Sequence, residues 1–383
     1  MALHFSEDEF AGRRKRVCAE LNRRGLAGLL MFRQESMYYL TGYDSFGFVF
    51  FQCLYLGAGG QMTLLTRSAD RLQAKHTSDI QDVRIWVDGP DANPALELRA
   101  IIAEHKGGGE KLGVEYDAYG LTAANGRKLD AALAGFATLV DASDLVSRLR
   151  VVKSAAEITY VRRAAELADA ALDEAHRLAA PGVFEGDILA AMQGAIFKGD
   201  GDYPANEFII GSGRDALLCR YFSGRRRLDA EDQLTLEFAG VFRHYHAALM
   251  RTIPIGRASQ RQRDMHKVCL EAMAACLEAL RPGRPIGEVF DAYARVCDAA
   301  GMGRCRLNAT GYSLGTTFAP NWMDWPMFYH GNPAPAEPNM VFFLHMILMD
   351  ADAGLAMCPG QTVLVGARGA EVLSKRPLDL VVK

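Results

Sequence analysis

Residues 233–253 read QLTLEFAGVFRHYHAALMRTI. Over 233–239, Thr235 and Glu237 fall on one face of a strand and Leu234, Leu236 and Phe238 on the other, because successive side chains on a pleated strand point to opposite sides. Over 244–253 the alternation resumes, with His244, His246, Ala248 and Met250 on one side and Tyr245, Ala247, Leu249 and Arg251 on the other. A carboxylate deep in so apolar a run is costly to bury unless something pairs with it, which marks Glu237 as a candidate for chemistry.

Outward from this stretch the pattern turns helical. Ser154 followed by Glu157 has the Ser-x-x-Glu form of a capping box and opens an amphipathic helix that stops at Pro181-Gly182. A second helix over 260–280 stops at Pro282-Gly283 in the same way. Two helix–Pro-Gly–helix units about a hundred residues apart predict a duplicated C-terminal domain. Residues 340–349 are apolar on both faces except for His345, the pattern of a central buried strand, and 361–365 with Gly369-Ala370-Glu371 form a last hairpin. Ahead of residue 153 the chain alternates: a helix over 7–24, a strand over 29–32, paired strands in the Phe- and Tyr-rich 38–56, and short strands at 64–66, 83–86 and 112–114. The expected division is an α/β domain over 1–152, a mixed sheet with flanking helices, and a second domain over 153–383.

Lys and Arg total 43 against 46 Asp and Glu, a formal net charge of −3 in 383 residues. That balance lacks the clustered positive charge of a nucleic-acid binder. No apolar run reaches the ~18 residues of a spanning helix, so no membrane partner is expected. The N-terminal MALHFSE has neither a basic nor an apolar leader region, and the 8 cysteines form no C-x-x-C pair. Together these predict reduced thiols in a cytoplasmic protein.

The ordered segments resemble the creatinase/prolidase/aminopeptidase P family, whose catalytic domain has the pita-bread fold. The motifs carrying the resemblance are Leu236-Glu237-Phe238-Ala239-Gly240 with Ala248-Leu249-Met250-Arg251-Thr252, then Gly311-Tyr312-Ser313-Leu314-Gly315, then Glu337-Pro338-Asn339-Met340-Val341, and finally Gly369-Ala370-Glu371-Val372-Leu373-Ser374. The resemblance implies an α+β pita-bread domain with internal pseudo-twofold symmetry after the α/β domain. It also implies positions for five ligands to two metal ions, Asp, Asp, His, Glu and Glu, which here read Glu237, Ala248, Tyr312, His345 and Glu371. Two divalent ions side by side need several carboxylates to offset their charge, and Ala248 supplies none. No metal is therefore expected; a single ion on His345, Glu237, Glu371 and His246 is the alternative.

Without metal, the resemblance assigns His345 as a base, its pKa raised by a neighbouring carboxylate, with Glu237 and Glu371 as orienting or cation-binding carboxylates. Tyr312 offers a phenolic donor, and Arg220, where relatives place a substrate-side histidine, suits a substrate carboxylate. His246 is a further pocket candidate, and Trp322, in the aromatic stretch 322–330, suits a lid or pocket wall. Relatives of the creatinase type are dimers whose N-terminal domain reaches the partner's site, which here implicates Tyr43, Phe46 and Phe48. The expected protein is a homodimeric hydrolase of a C–N bond (amide, amidine or guanidine) in a small carboxylate-bearing metabolite, creatinase-like or ectoine-hydrolase-like. The alternatives are an Xaa-Pro peptidase with an altered metal site and a catalytically inactive binding module.

Overall fold

The computed structural model describes residues 3–222 and 224–383; the first two residues of the N-terminal stretch read above lie outside it. The chain divides into compact units spanning Met1–Arg150 and Val151–Lys383. In the first unit α1 (Glu7–Arg24), β1 (Gly28–Met31), α2 (Gln34–Thr41), β2 (Cys53–Gly57), β3 (Met62–Arg67), α3 (Arg71–Thr77), β4 (Val83–Trp86), α4 (Pro94–Glu104), β5 (Lys111–Val114), α5 (Ala123–Leu133), β6 (Thr138–Asp141) and α6 (Asp144–Arg150) follow one another. Its six strands form one mixed sheet in the order β4-β3-β2-β1-β5-β6. Ser6 caps α1 by accepting from the Glu9 N–H, and Gly25 ends it in the left-handed region at φ 66°.

Residues 38–56 differ from expectation. Their aromatic, β-branched composition reads as two strands, yet the structure makes α2, a 3-10 turn at Gly47–Val49, and only then β2. Every residue of α2 but Glu35 is buried, so no amphipathic period exists to be read. What starts this helix is remote in sequence. The buried Glu115 carboxylate accepts the backbone N–H groups of Phe32 (3.1 Å) and Arg33 (2.9 Å), and the Ser36 hydroxyl (2.5 Å).

The second unit runs α7 (Ala155–Leu178), α8 (Glu185–Lys198), β7 (Ile209–Ser212), β8 (Asp232–Phe242), β9 (Tyr245–Ile255), α9 (Gln260–Ala279), α10 (Gly287–Ala299), β10 (Gly311–Ser313), β11 (Asp324–Met327), β12 (Val341–His345), β13 (Leu348–Asp350), β14 (Leu355–Met357), β15 (Gly360–Val365) and β16 (Ala370–Val372). Eight of these strands form one sheet, in the order β11-β10-β12-β15-β9-β8-β7 with β16 beside β15. The duplication is present: α7–α8 and α9–α10 are successive helix pairs, each opened by a capping box, Ser154–Glu157 and Ser259–Gln262. Each first helix is followed by a left-handed glycine, Gly182 at φ 80° and Gly283 at φ 82°. This is the α+β pita-bread architecture.

The helices cover one face of the sheet. Behind β8 the backbone of α7 comes so close that a Cβ on Gly240 would sit 2.0 Å from the Ala164 carbonyl. Phe342, Leu344, Val363 and Val365 pack with Met265, Cys269, Met273 and Tyr293 of α9 and α10 into a core, where each large side chain fully removed from water contributes about 1.5–3 kcal/mol. Residues of opposite parity on the same strands face the other way. The strand expected over 340–349 ends at His345: Met346 N–H turns to the Pro359 carbonyl, and the chain resumes pairing only as β13.

Candidate active site

The sheet's register builds the site. Glu237 lies opposite Met250, Met250 opposite Gly360, and Gly360 opposite His345, so these four form one row across β8, β9, β15 and β12. On the next pair Tyr312 lies opposite Phe343, two residues before His345 and therefore on the same face. Glu237, His345 and Tyr312 thus share the face that α7, α9 and α10 leave uncovered. The His345 backbone is held at both ends, its N–H on the Thr310 carbonyl and its carbonyl on the Thr310 hydroxyl at 2.9 Å.

Trp322 Nε1 donates to Tyr312 Oη at 2.8 Å, and Tyr312 Oη in turn donates to Glu237 Oε1 at 3.1 Å. The Tyr312 and Phe343 rings stand 5.8 and 5.4 Å from the His345 ring. Burial pushes the Glu237 carboxyl up to about 7, against the smaller pull of the Tyr312 hydrogen bond and the Arg220 charge. Burial pushes His345 down to about 4, and the Arg220 charge adds to this. Tyr312 is held well above the usual phenol range by burial and by the Glu237 charge. His345 Nδ1 is buried without a hydrogen-bond partner among the described residues. Arg220 is exposed, forms no ion pair among the described residues, and is felt electrostatically by Glu237, Tyr312 and His345.

Three of the expected residues come together here, Glu237, His345 and Tyr312, with Arg220 within electrostatic reach. Trp322 is present in a different capacity. It is 1% exposed and holds Tyr312 from behind rather than forming a lid or wall.

Glu371 does not join the group. It lies half-exposed opposite Leu364 and makes two 2.7 Å hydrogen bonds to Arg162 of α7. The row position where a second carboxylate would converge on Glu237 and His345 is Gly360, whose Cβ would press on the Phe343 ring at 2.8 Å. His246 is fully buried and committed on both nitrogens: Nε2 accepts the Ala205 N–H at 3.0 Å, while Nδ1 meets the His244 carbonyl at 2.9 Å and the Thr317 hydroxyl at 3.1 Å. Burial holds it neutral, at about 3, and it is a packing group with no valence left for a substrate. Phe48, expected to reach a partner's pocket, is 8% exposed, with its backbone carbonyl and Cβ packed against Gly120 of its own unit; Phe46 beside it is 77% exposed. The expected direction for His345 is also reversed, because desolvation dominates, the Arg220 charge adds to it, and no carboxylate raises it.

Two residues were missed. Phe343 was findable, since it alternates with His345 on β12. Gly360 was not, because only the register reveals a position defined by lacking a side chain.

These residues do not fit a paired-metal centre. Ala248 and Gly360 offer no ligand atoms, Glu237 is the sole carboxylate of the row, and its Oε1 already accepts from Tyr312. Among the described residues no group of three or more His, Cys, Asp or Glu is arranged to hold a metal ion. The single-ion alternative loses Glu371 and His246, which leaves two side chains where zinc takes three or four.

Residues 159–369 match the family model described as Metallopeptidase family M24, and residues 13–152 match the Creatinase/Prolidase N-terminal domain. The chain is 30% identical over 393 residues to an uncharacterized hydrolase/peptidase of Sinorhizobium fredii, covering 100% of this chain and 99% of that one. It is 28% identical over 402 residues to the ectoine hydrolase of Halomonas elongata, with the same coverage of 100% and 99%. In fold it is similar to the prolidase of Thermococcus sibiricus, with a TM-score of 0.88 at 20% identity over 98% of this chain and 99% of that one.

Proposed function

The chain belongs to metallopeptidase family M24 and is a hydrolase of the creatinase/prolidase kind, and from that premise we propose that it hydrolyses a C–N bond in a small carboxylate-bearing metabolite without a paired-metal centre. One observation carries this reading: a single buried carboxylate, poised near neutrality, faces a neutral imidazole where a charged ligand cluster would be needed for metal.

The roles follow from that geometry. Glu237, partly ionised near pH 7, is the general base; it takes a proton from water as the water oxygen bonds to the amide or amidine carbon. The charge that develops on the substrate is met by an N–H of His345, which burial keeps neutral and therefore a hydrogen-bond donor rather than a strong base. Protonated Glu237 then returns its proton to the leaving nitrogen as the C–N bond breaks, so proton and electron pair both balance. Arg220 contacts the substrate carboxylate. The full-length similarity to an ectoine hydrolase supports a small-metabolite substrate.

The Xaa-Pro peptidase reading rests on the prolidase-like fold, and one experiment separates the two. Purified protein is screened with cyclic amidines, small amides and Xaa-Pro dipeptides, first for thermal stabilisation and then for turnover, with and without chelator. Turnover of a small amide or amidine that chelator leaves untouched supports the proposal. Xaa-Pro cleavage abolished by chelator overturns it. As part of the same proposal the protein is a homodimer, and its eight free cysteines suit a reducing cytoplasm. Among the described residues no helix is long and apolar enough to cross a membrane.

A further inference from the structure

We propose that Trp322 is a positioning residue, acting through Tyr312 to commit one oxygen of Glu237 to the protein and leave the other to the substrate. The consequence for catalysis rests on the reading of Glu237 as the base; the hydrogen-bond direction does not.

An indole N–H can only donate, whereas a phenol has one proton and accepts through its oxygen. Trp322 Nε1 at 2.8 Å therefore fills an acceptor site on Tyr312 Oη, and the phenol proton is left to point at Glu237 Oε1, 3.1 Å away. The opposite polarity is the poorer one. If Oε1 carried a proton donated to Tyr312, the phenol oxygen would accept from both neighbours and its own proton would have no acceptor among the described residues.

Both donors are fixed. Trp322 is 1% exposed and Tyr312 4%. The Trp322 ring stands 6.3 Å from that of His246, whose nitrogens are tied to Ala205, His244 and Thr317. The turn carrying Trp322 is held by the Asn321 side chain, which accepts the Met323 N–H at 3.0 Å. With Oε1 committed, the proton that Glu237 gains and returns resides on Oε2, which accepts no hydrogen bond from any described residue. A base that presents one defined oxygen keeps its proton aligned with the reacting atoms, and misalignment is expensive in rate.

The chain has 3 tryptophans, and Trp322 is distinguishable from the other two: Trp86 donates to the Phe51 carbonyl and Trp325 is 38% exposed. The test is a pH series of indole N–H correlation spectra on the full chain, with the Trp322 resonance assigned by its loss in W322F. It should show an inflection near 7, the range to which Glu237 is pushed, that disappears in both E237Q and Y312F. A Trp322 resonance insensitive to pH, or an inflection that survives Y312F, overturns the relay whether or not any substrate is turned over. Kinetics give a second reading. W322F should lower kcat about tenfold at unchanged KM, and W322F/Y312F should be no slower than Y312F alone. Additive losses in the double variant overturn the proposal, while turnover surviving in E237Q strikes instead at Glu237 as the base.

Discussion

Two glutamates, one in each unit, share a burial state and differ in everything that decides function. Glu115 and Glu237 are 0% and 8% exposed, and burial pushes both carboxyls up to about 7. Glu115 spends its oxygens on Phe32 N–H, Arg33 N–H and the Ser36 hydroxyl, and so fixes the start of α2. Among the described residues Glu237 receives the Tyr312 hydroxyl alone. A buried acid with its hydrogen bonds filled is part of the fold; one with an oxygen left open is equipped to move a proton. The histidines repeat the contrast, with His246 bonded at both nitrogens and His345 carrying an Nδ1 that has no partner among the described residues. A perturbed pKa alone therefore does not separate scaffold from site in this protein; within these two pairs the hydrogen-bond partners do, while Glu185 shows that an open buried oxygen, its Oε1 having no partner among the described residues, is not by itself a site.

The sharpest way to break the comparison is to make the same substitution at both glutamates. E237Q removes the base and should lower kcat/KM by roughly 10²–10⁴-fold, with the fold intact by circular dichroism. E115Q keeps an acceptor for the two backbone N–H groups and a donor for Ser36, so activity should be unchanged and stability should shift by no more than ~1 kcal/mol in denaturant melts. Equal activity losses would show that burial, rather than the open oxygen, is what matters. At the histidines the split should invert. H345A should lose roughly 100-fold in turnover and little stability, while H246A should lose about 2–4 kcal/mol of stability by stranding the Ala205 N–H and opening a cavity.

A smaller effect is expected from pH alone. With Glu237 as base, kcat/KM should rise as pH increases through about 7 and its carboxyl ionises. Stability moves the other way over the same acids. Both folded-state pKa values lie above the ordinary 4.5, so the folded chain holds protons that the unfolded chain releases, and their contribution falls as pH rises from about 4.5 to 7. His246 and His345, depressed to about 3 and 4 from 6.5, add stability that is present above 6.5 and lost on acidification. Melting curves across pH 4–8 should show E115Q reducing the carboxyl contribution and H246A the histidine contribution, each by the share of the one group removed, with Glu237 and His345 keeping theirs.

The sequence carried much of this architecture because its signals were local. The Ser154–Glu157 box, the Pro-Gly stops and the period-two alternation of β8 and β9 are readable from a few adjacent residues, and all are present. Glu237 and His345 stood out because each interrupts an apolar run. What could not be read depended on distant chain. Helix α2 is buried almost all round and started by a carboxylate some 80 positions away, so its own residues look like strand. Glu371 was placed by motif alone, and only the register shows it opposite Leu364 and paired with Arg162. His246 shares parity with Met250, but the loop atoms that satisfy both its nitrogens come from Ala205 and Thr317. Trp322 lies ten residues from Tyr312 with no periodicity to join them.

Arg220 offers the mildest test, because it belongs wholly to neither side of the comparison. It is exposed, so it adds nothing to packing, yet its charge lowers the pKa of both Glu237 and His345. If it receives a substrate carboxylate, R220Q should raise KM about tenfold with kcat little changed, since an exposed ion pair contributes on the order of 1 kcal/mol. The same variant should move the activity limb near 7 upward, because a positive charge that favoured the ionised form of Glu237 is gone. Salt should reproduce the first effect in the native chain by screening an exposed charge over a Debye length of about 8 Å at physiological ionic strength. A raised KM without the limb shift would place the carboxylate contact on Arg220 but beyond electrostatic reach of Glu237. A limb shift at unchanged KM would make Arg220 a tuner of the base with no hold on substrate, and the open side of the site would then have to find its anion contact elsewhere.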